Sequence, residues 1–542
     1  MRVPMNFVGG SRCINAILWV ACLSPALFLT GCGAGHEPGV LRVGNGAEVQ
    51  ELDPHLVSGV TEHRVLTALF EGLCAIEPES NEPIPGVAAS WDISEDGLTY
   101  TFHLREDAAW SNGDPITAED FVYSWRRMLS PALASEYAYM LHCIENAEAY
   151  NLGELENFDE VGVRAVDAHT LEVQLNHPTP YFLSMQIHFA WFPVHQATVE
   201  RFGAIDERGT GWTRAGNMVS NGPFQLAAWR PNEIIRVDPN PHYWNHEAVG
   251  LNGIAYYPID NLQTEERSFR SGELHLTNDI PLQRIQVYQR DNPELLHIHP
   301  YLGVYYYRFN TTRPPFDDKR VRQAFTMTID REILTRNVLQ GDEDPAYFYT
   351  PPNTAGYTSE SRVEYNPERA RELLAEAGYP NGQDLPTVEI LYNTHEAHKT
   401  IAEAIQRMWR EKLNADVRLI NQDWRVYLAT MSSLDYDIAR SAWIGDVEDP
   451  INFLECFLSG GGNNRTGYAS PDFDAAVQNA YAATDPEARM AYLQEAEAIL
   501  LDDVPIAPIY FYTRKFLMDP AVQGYTYSHM GYIRWQDLSL AE

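Results

Sequence analysis

The stretch from Ile14 to Thr30 constrains this chain more than any other feature. It is largely apolar, follows a basic start at Arg2 and Arg12, and stops at Leu29-Thr30-Gly31-Cys32. Asn15 and Pro25 interrupt it, whereas a membrane-spanning helix needs about 20 consecutive apolar residues. The pattern is therefore that of an export leader. Small residues immediately before a cysteine resemble a lipobox, at which the leader is cut and Cys32 becomes a lipidated N-terminus. An ordinary secretory leader with an incidental cysteine is the competing reading. In both cases the remaining chain folds outside the cytoplasm, and Gly33-Ala34-Gly35 opens it with a flexible tether.

Cleavage before Cys32 leaves 511 of 542 residues. That is too long for one hydrophobic core, so two or three lobes are expected. A hydrophobic fraction of 45% excludes disorder, and 75 acidic against 39 basic residues give a net charge of −36. A surface so negative repels nucleic acid and anionic lipid head groups. Past the leader the cysteines are Cys32, Cys74, Cys143 and Cys456, which allow at most one bridge and imply no disulfide framework. No later apolar run reaches membrane length, so a lipid on Cys32 would be the only anchor.

Strand and helix signals alternate through most of the chain, which predicts an α/β architecture. Asn366-Pro367 reads as an N-cap followed by proline at the first helical position, and Gly378 as the stop. Residues 387–392, 396–412 and 416–420 then read as strand, amphipathic helix and strand, a right-handed βαβ unit. Residues 472–501 read as two helices broken at Asp485-Pro486. Residues 98–104 and 170–175 alternate like half-exposed strands and suggest a lobe with antiparallel pieces. Asn112-Gly113 reads as a turn, and Thr117 as an N-cap with Asp120 in the reciprocal position. Trp91, Trp110 and Trp125 read as core.

Local enzyme signatures are missing: there is no G-x-S-x-G, P-loop, dinucleotide fingerprint or zinc-spaced cysteine pair. His395-Glu396-Ala397-His398 spaces its histidines three apart, where a zinc-protease helix needs four. Asp446, Glu448 and Asp449 cluster in a chain so acidic that clustering carries no weight. The expectation is no catalysis, no cofactor and no metal.

Three blocks carry a resemblance. Pro85-Gly86-Val87-Ala88-Ala89-Ser90-Trp91, Tyr100 to Arg105, and Trp110-Ser111-Asn112-Gly113-Asp114-Pro115 running on to Phe121 resemble the signature of family 5 extracellular solute-binding proteins. Leu52-Asp53-Pro54-His55, Asn221-Gly222-Pro223-Phe224, Arg270-Ser271-Gly272-Glu273 and Tyr305-Tyr306-Tyr307 narrow the likeness to the oligopeptide-binding group. The resemblance implies a periplasmic-binding-protein-like fold of two hinged lobes with an extra domain. Lobe I would combine residues 32–70, 196–302 and 514–542, the additional domain residues 71–195, and the second lobe residues 303–513. The implied function is capture of short peptides for an ABC importer by a monomer whose partners are the peptide and the inner-membrane permease. A murein peptide, a non-peptide solute, or a surface adhesin or chaperone remain as alternatives.

An extended peptide of no fixed sequence is held through its backbone, its ammonium and its carboxylate. The resemblance implies that Asp446 takes the ammonium, that Trp443 packs against the ligand, and that Arg440 lies near a ligand carboxylate or a structural acid. An internal Arg440–Asp446 ion pair is the competing reading. Tyr137, Tyr306 and His398 match ligand-contacting positions singly, and Val60 a backbone-pairing one. The chain departs from the group at Ser58, Leu339, Met431 and Arg308, where the last replaces an acid. Segments near Gly303 and Thr513 are the expected hinges.

Overall fold

The computed structural model describes residues 37–339 and 343–541, so the leader and Cys32 lie outside the described residues. β1 (Val40–Gly44) opens a first sheet, and α1 (Val60–Leu69) leads the chain out of it. A second sheet follows, built from β2 (Ala88–Ile93), β3 (Thr99–Leu104), β4 (Val163–Asp167) and β5 (Thr170–Gln174). Its order is β2-β3-β5-β4, antiparallel throughout, with α2 (Ala118–Leu129) packed on β4. The chain then returns through β6 (Phe224–Arg230), β7 (Ile234–Pro239) and β8 (Gly253–Tyr257), completing the first sheet as β1-β8-β7-β6.

β9 (Leu296–Phe309) carries the chain into a third sheet. There follow α3 (Pro367–Glu376), β10 (Val388–Asn393), α4 (Glu396–Leu413), β11 (Val417–Gln422), α5 (Trp424–Ser432), β12 (Ile438–Ile444), α6 (Pro471–Ala482), α7 (Pro486–Asp503) and β13 (Ile506–Leu517). The order is β11-β10-β12-β9-β13, with β10 parallel to both β11 and β12. β9 and β13 pair antiparallel at residues 296–300 and again at 304–308, and the register shifts between Pro300 and Val304, where β13 passes from Thr513 to Phe511. One end of the pair therefore serves the third sheet. The other end reaches the first, through the Leu276–Met518 and Val43–Leu276 bridges.

Local chemistry explains the elements. The Asn366 side chain accepts from the Arg369 backbone N–H, with Pro367 opening α3. Thr117 and Asp120 form the reciprocal cap of α2, and Gly113 turns with φ +88°. The break before α7 falls at Asp485, whose carboxylate accepts from the Ala488 N–H. Within Asn221-Gly222-Pro223-Phe224, Asn221 bonds both backbone groups of Glu71. A Cβ on Gly222 would stand 2.5 Å from the Leu69 carbonyl carbon. Trp110 and Trp125 are fully buried, whereas Trp91 is half-buried. Cys74, Cys143 and Cys456 are buried free thiols.

The Leu52-Asp53-Pro54-His55 block has a structural reason. Arg127, on α2, is fully buried, and its guanidinium makes two bonds to Asp53 of 2.6 and 3.0 Å and one to His55 Nδ1 of 2.8 Å. Removing one partner of a buried pair strands the other charge at a cost of about 3–5 kcal/mol. Asp53→Ala should lower stability by that amount in urea denaturation, and the Asp53→Ala, Arg127→Met double variant should recover part of it.

Candidate functional site

Asp446 follows the end of β12 and is held by its backbone. Its N–H donates to Asn452 Oδ1 at 2.9 Å, and the same oxygen accepts from Trp443 Nε1 at 3.2 Å. One residue fixes both the backbone of Asp446 and the indole beside it. The Asp446 side chain is 13% exposed. Its Oδ1 accepts from the Tyr137 hydroxyl at 3.3 Å and lies 3.6 Å from His188 Nε2, while Oδ2 is buried without a hydrogen-bond partner.

The His188 imidazole titrates well below its ordinary range, first because of burial and then because His63 lies beside it. It is thus neutral and supplies no countercharge. Burial, and then the Glu455 carboxylate, raise Asp446 to about 7. Glu455 is itself raised to about 7 by burial, although it accepts hydrogen bonds from Tyr481 (2.6 Å) and Asn452 (3.3 Å). Two buried acids therefore share a pocket in which no cation meets either of them among the described residues. Burying a charged carboxylate unpaired is costly, so each holds its proton more tightly than an exposed acid would.

Arg440 does not form the ion pair with Asp446. Its guanidinium donates to Tyr512 Oη at 2.8 Å and Asn393 Oδ1 at 3.3 Å, and packs 4.8 Å from the centre of the Tyr305 ring. Among the described residues no carboxylate meets it, and its Nε is buried without a partner. His398, on α4, stands in the same surroundings: its ring lies 5.6 Å from Tyr305 and 4.7 Å from His395. Burial, followed by the Arg440 charge, keeps it neutral.

β12 joins these two ends. β9 pairs with it from Ile438 to Ile444, but β10 pairs only at Ile438 and Ala439. The Tyr427 hydroxyl, from α5, donates to the Arg440 carbonyl. From Ser441 to Ile444 the β10 side of β12 carries no paired strand, which leaves an edge able to accept one.

The remaining expected residues spread out. Tyr137 touches Asp446 directly. Val60 opens α1 and is 46% exposed. Three residues on, His63 packs 4.7 Å from Tyr532 and 6.2 Å from His188, so the start of α1 borders the acid pocket. Tyr306 is fully buried against Tyr349 and Phe457, and its hydroxyl accepts from Arg308; it does not reach Asp446. Ser58 is exposed, whereas Met431 and Leu339 are buried in apolar clusters. His188, Asn452 and Glu455 escaped the sequence reading. The only signal was Glu455 and Asn452 lying within ten residues of Asp446, in a segment already crowded with acids. Among the described residues no cluster of three or more His, Cys, Asp or Glu could hold a metal.

The model of the bacterial extracellular solute-binding proteins, family 5, matches residues 82–465. The periplasmic oligopeptide-binding protein OppA of Escherichia coli K12 is 40% identical over 500 residues, covering 89% of each chain. Haemophilus influenzae OppA in complex with the peptide RPPGFSPFR superposes with a TM-score of 0.84 at 35% identity, over 93% of this chain and 99% of that one. The E. coli murein tripeptide-binding protein MppA gives 0.86 at 37% identity over 93% and 98%, and its unliganded open form 0.70. With a periplasmic-binding-protein architecture, a matched family model over most of its length and relatives near 40% identity, the chain belongs to the family 5 extracellular solute-binding proteins.

Proposed function

We propose that this protein is the substrate-binding lipoprotein of an ABC importer and captures short peptides between closing lobes. The observation that carries the reading is Asp446, a buried carboxylate with an unbonded oxygen and no cation, beside the open edge of a strand. A peptide added along residues 441–444 would satisfy its backbone there. Its ammonium would meet Asp446, Trp443 and Tyr137 would flank its first residues, and its carboxylate would turn to Arg440. His398 would serve longer peptides, the Val60 backbone would pair from the opposite side, and Tyr306 would act as buried support.

Closure would be a rotation of residues 303–513 against residues 32–70, 196–302 and 514–542, with residues 71–195 as the additional domain. The register break between Pro300 and Val304 in β9 supports hinges at Gly303 and Thr513. The Tyr137–Asp446 bond, and the fall in TM-score from 0.86 to 0.70 against the open form of MppA, support a closed arrangement. Lipidation at Cys32 would hold the receptor at the membrane facing the periplasm or cell exterior, where a permease collects the ligand. The likeness to a murein tripeptide-binding protein supports a second reading, in which the peptide is a cell-wall fragment. Native mass spectrometry of the purified protein separates the two by the mass of the co-purifying ligand.

Asp446→Ala should weaken tripeptide binding at least tenfold, about 1.4 kcal/mol. Unchanged affinity by calorimetry removes Asp446 from the site. Because Asp446 titrates near 7 and the ammonium meets its ionised form, peptide binding should release close to one proton at about pH 6, the release vanishing at about pH 7.4 where the peptide amine takes up as much as the carboxylate gives. Affinity should be highest at about pH 7.4, between the two titrations, and fall roughly fivefold by pH 6 as the free carboxylate protonates and by a similar factor above pH 8.5 as the peptide's own amine, with a pKa of about 7.7–8.0, loses its proton. Calorimetry in buffers of different ionisation enthalpy measures the released proton.

A further inference from the structure

Burial pushes up seven carboxyl groups among the described residues. Glu71, Glu265 and Glu497 are sealed in the interior against hydrogen-bond donors. Asp120 caps α2, and Asp279 lies near the Lys515 and Arg514 charges. Asp446 and Glu455 remain. The first has a part in the peptide reading; the second has none.

Glu455 lies in a short helical stretch, residues 451–457. Its Oε2 accepts from the Tyr481 hydroxyl at 2.6 Å, and its Oε1 from Asn452 Nδ2 at 3.3 Å. The oxygen of that same amide holds the Asp446 N–H and the Trp443 indole, so one side-chain amide spans from Glu455 to the ammonium subsite. Tyr139 stands beside both acids. Asp446, Glu455, Tyr139, Tyr181 and Tyr481 are all hemmed in by protein, yet each keeps part of its surface accessible to water. Side chains that are enclosed and still accessible line an interior space. This one has a second carboxylate at its end and tyrosine rings along its walls, and no cation meets either acid among the described residues.

We propose that Glu455 is a specificity-determining residue that receives a cationic side chain, lysine or arginine, from the first residue of the bound peptide. The assignment rests on the peptide reading above and deepens it. The ammonium and the side chain of a first residue leave the same Cα, so with the ammonium on Asp446 that side chain starts inside this space. A lysine carries its charge on a flexible four-carbon stem. The stem packs along the tyrosine rings, whose faces also attract the cation, and the charge reaches Glu455. Two ligand cations then offset two enclosed acids. The preferred ligands are short peptides with a basic first residue.

The test is calorimetric titration at pH 7 with Lys-Ala-Ala, Ala-Lys-Ala and their norleucine counterparts, which keep the four-carbon stem without its charge. Lys-Ala-Ala should bind roughly ten or more times tighter than its counterpart. Ala-Lys-Ala should show no such advantage, and Glu455→Gln should remove it while still binding the norleucine peptides. At pH 6, Lys-Ala-Ala should also release about one more proton than its counterpart, because Glu455, raised to about 7, ionises against the lysine. Equal affinities for the two first-residue peptides, an equal advantage for Ala-Lys-Ala, or a preference that survives in Glu455→Gln overturns the assignment while leaving the peptide reading intact. Binding by none of the four removes both. Should Glu455→Gln fail to fold, the affinity ratio and the proton count in the unaltered protein decide.

Discussion

A carboxylate removed from water without a cation is among the costlier things a protein can hold, and this fold is arranged around one. Asp446 loses solvation and has beside it the hydroxyls of Tyr137 and Tyr139, a neutral imidazole and a second acid. Three buried arginines are committed elsewhere: Arg489 to Asp449, Arg440 to tyrosine and asparagine, Arg308 to hydroxyls and a carbonyl. Asn452 fixes the backbone of Asp446 and the indole of Trp443 together. Such an arrangement is unfavourable electrostatically, and in the proposed function a ligand's ammonium would relieve it.

The backbone supplies the rest. β12 is edged by β10 for two residues and then runs on unpaired, so one strand offers hydrogen-bonding groups, an acid at one end and a guanidinium at the other. β9 and β13 carry it: they pair in the third sheet, lose register, and pair again toward the first. In the proposed closure these two strands would be the hinge. The hydroxyl of Tyr137, from the chain segment that includes the second sheet, reaching Asp446 beyond the third is the contact such a rotation would make and break.

How much of this the sequence disclosed follows from the range of the interactions. The α3 cap at Asn366, the βαβ unit of β10, α4 and β11, and the Thr117–Asp120 cap depend on residues a few positions apart, and all were readable. The acids from Asp446 to Glu455 were not. Four carboxylates in ten residues look alike in sequence, but Asp449 meets Arg489, Glu448 lies 3.3 Å from His529, and Asp446 and Glu455 are left to share a pocket. Only long-range packing sorts them. Likewise the tyrosine run looked uniform, yet strand alternation buries Tyr306 on one side and Tyr305 with Tyr307 on the other. Asp446 itself was named by resemblance rather than by local chemistry.

The account turns on the positive end of the ligand. Titrating the protein calorimetrically with one tripeptide, in its free-amine form and again with the amine acetylated, isolates that charge while leaving backbone and side chains unchanged. The account predicts that acetylation abolishes measurable binding, together with the proton released at about pH 6. Equal affinity for the two forms would contradict it, because the buried carboxylate would then have no part in recognition.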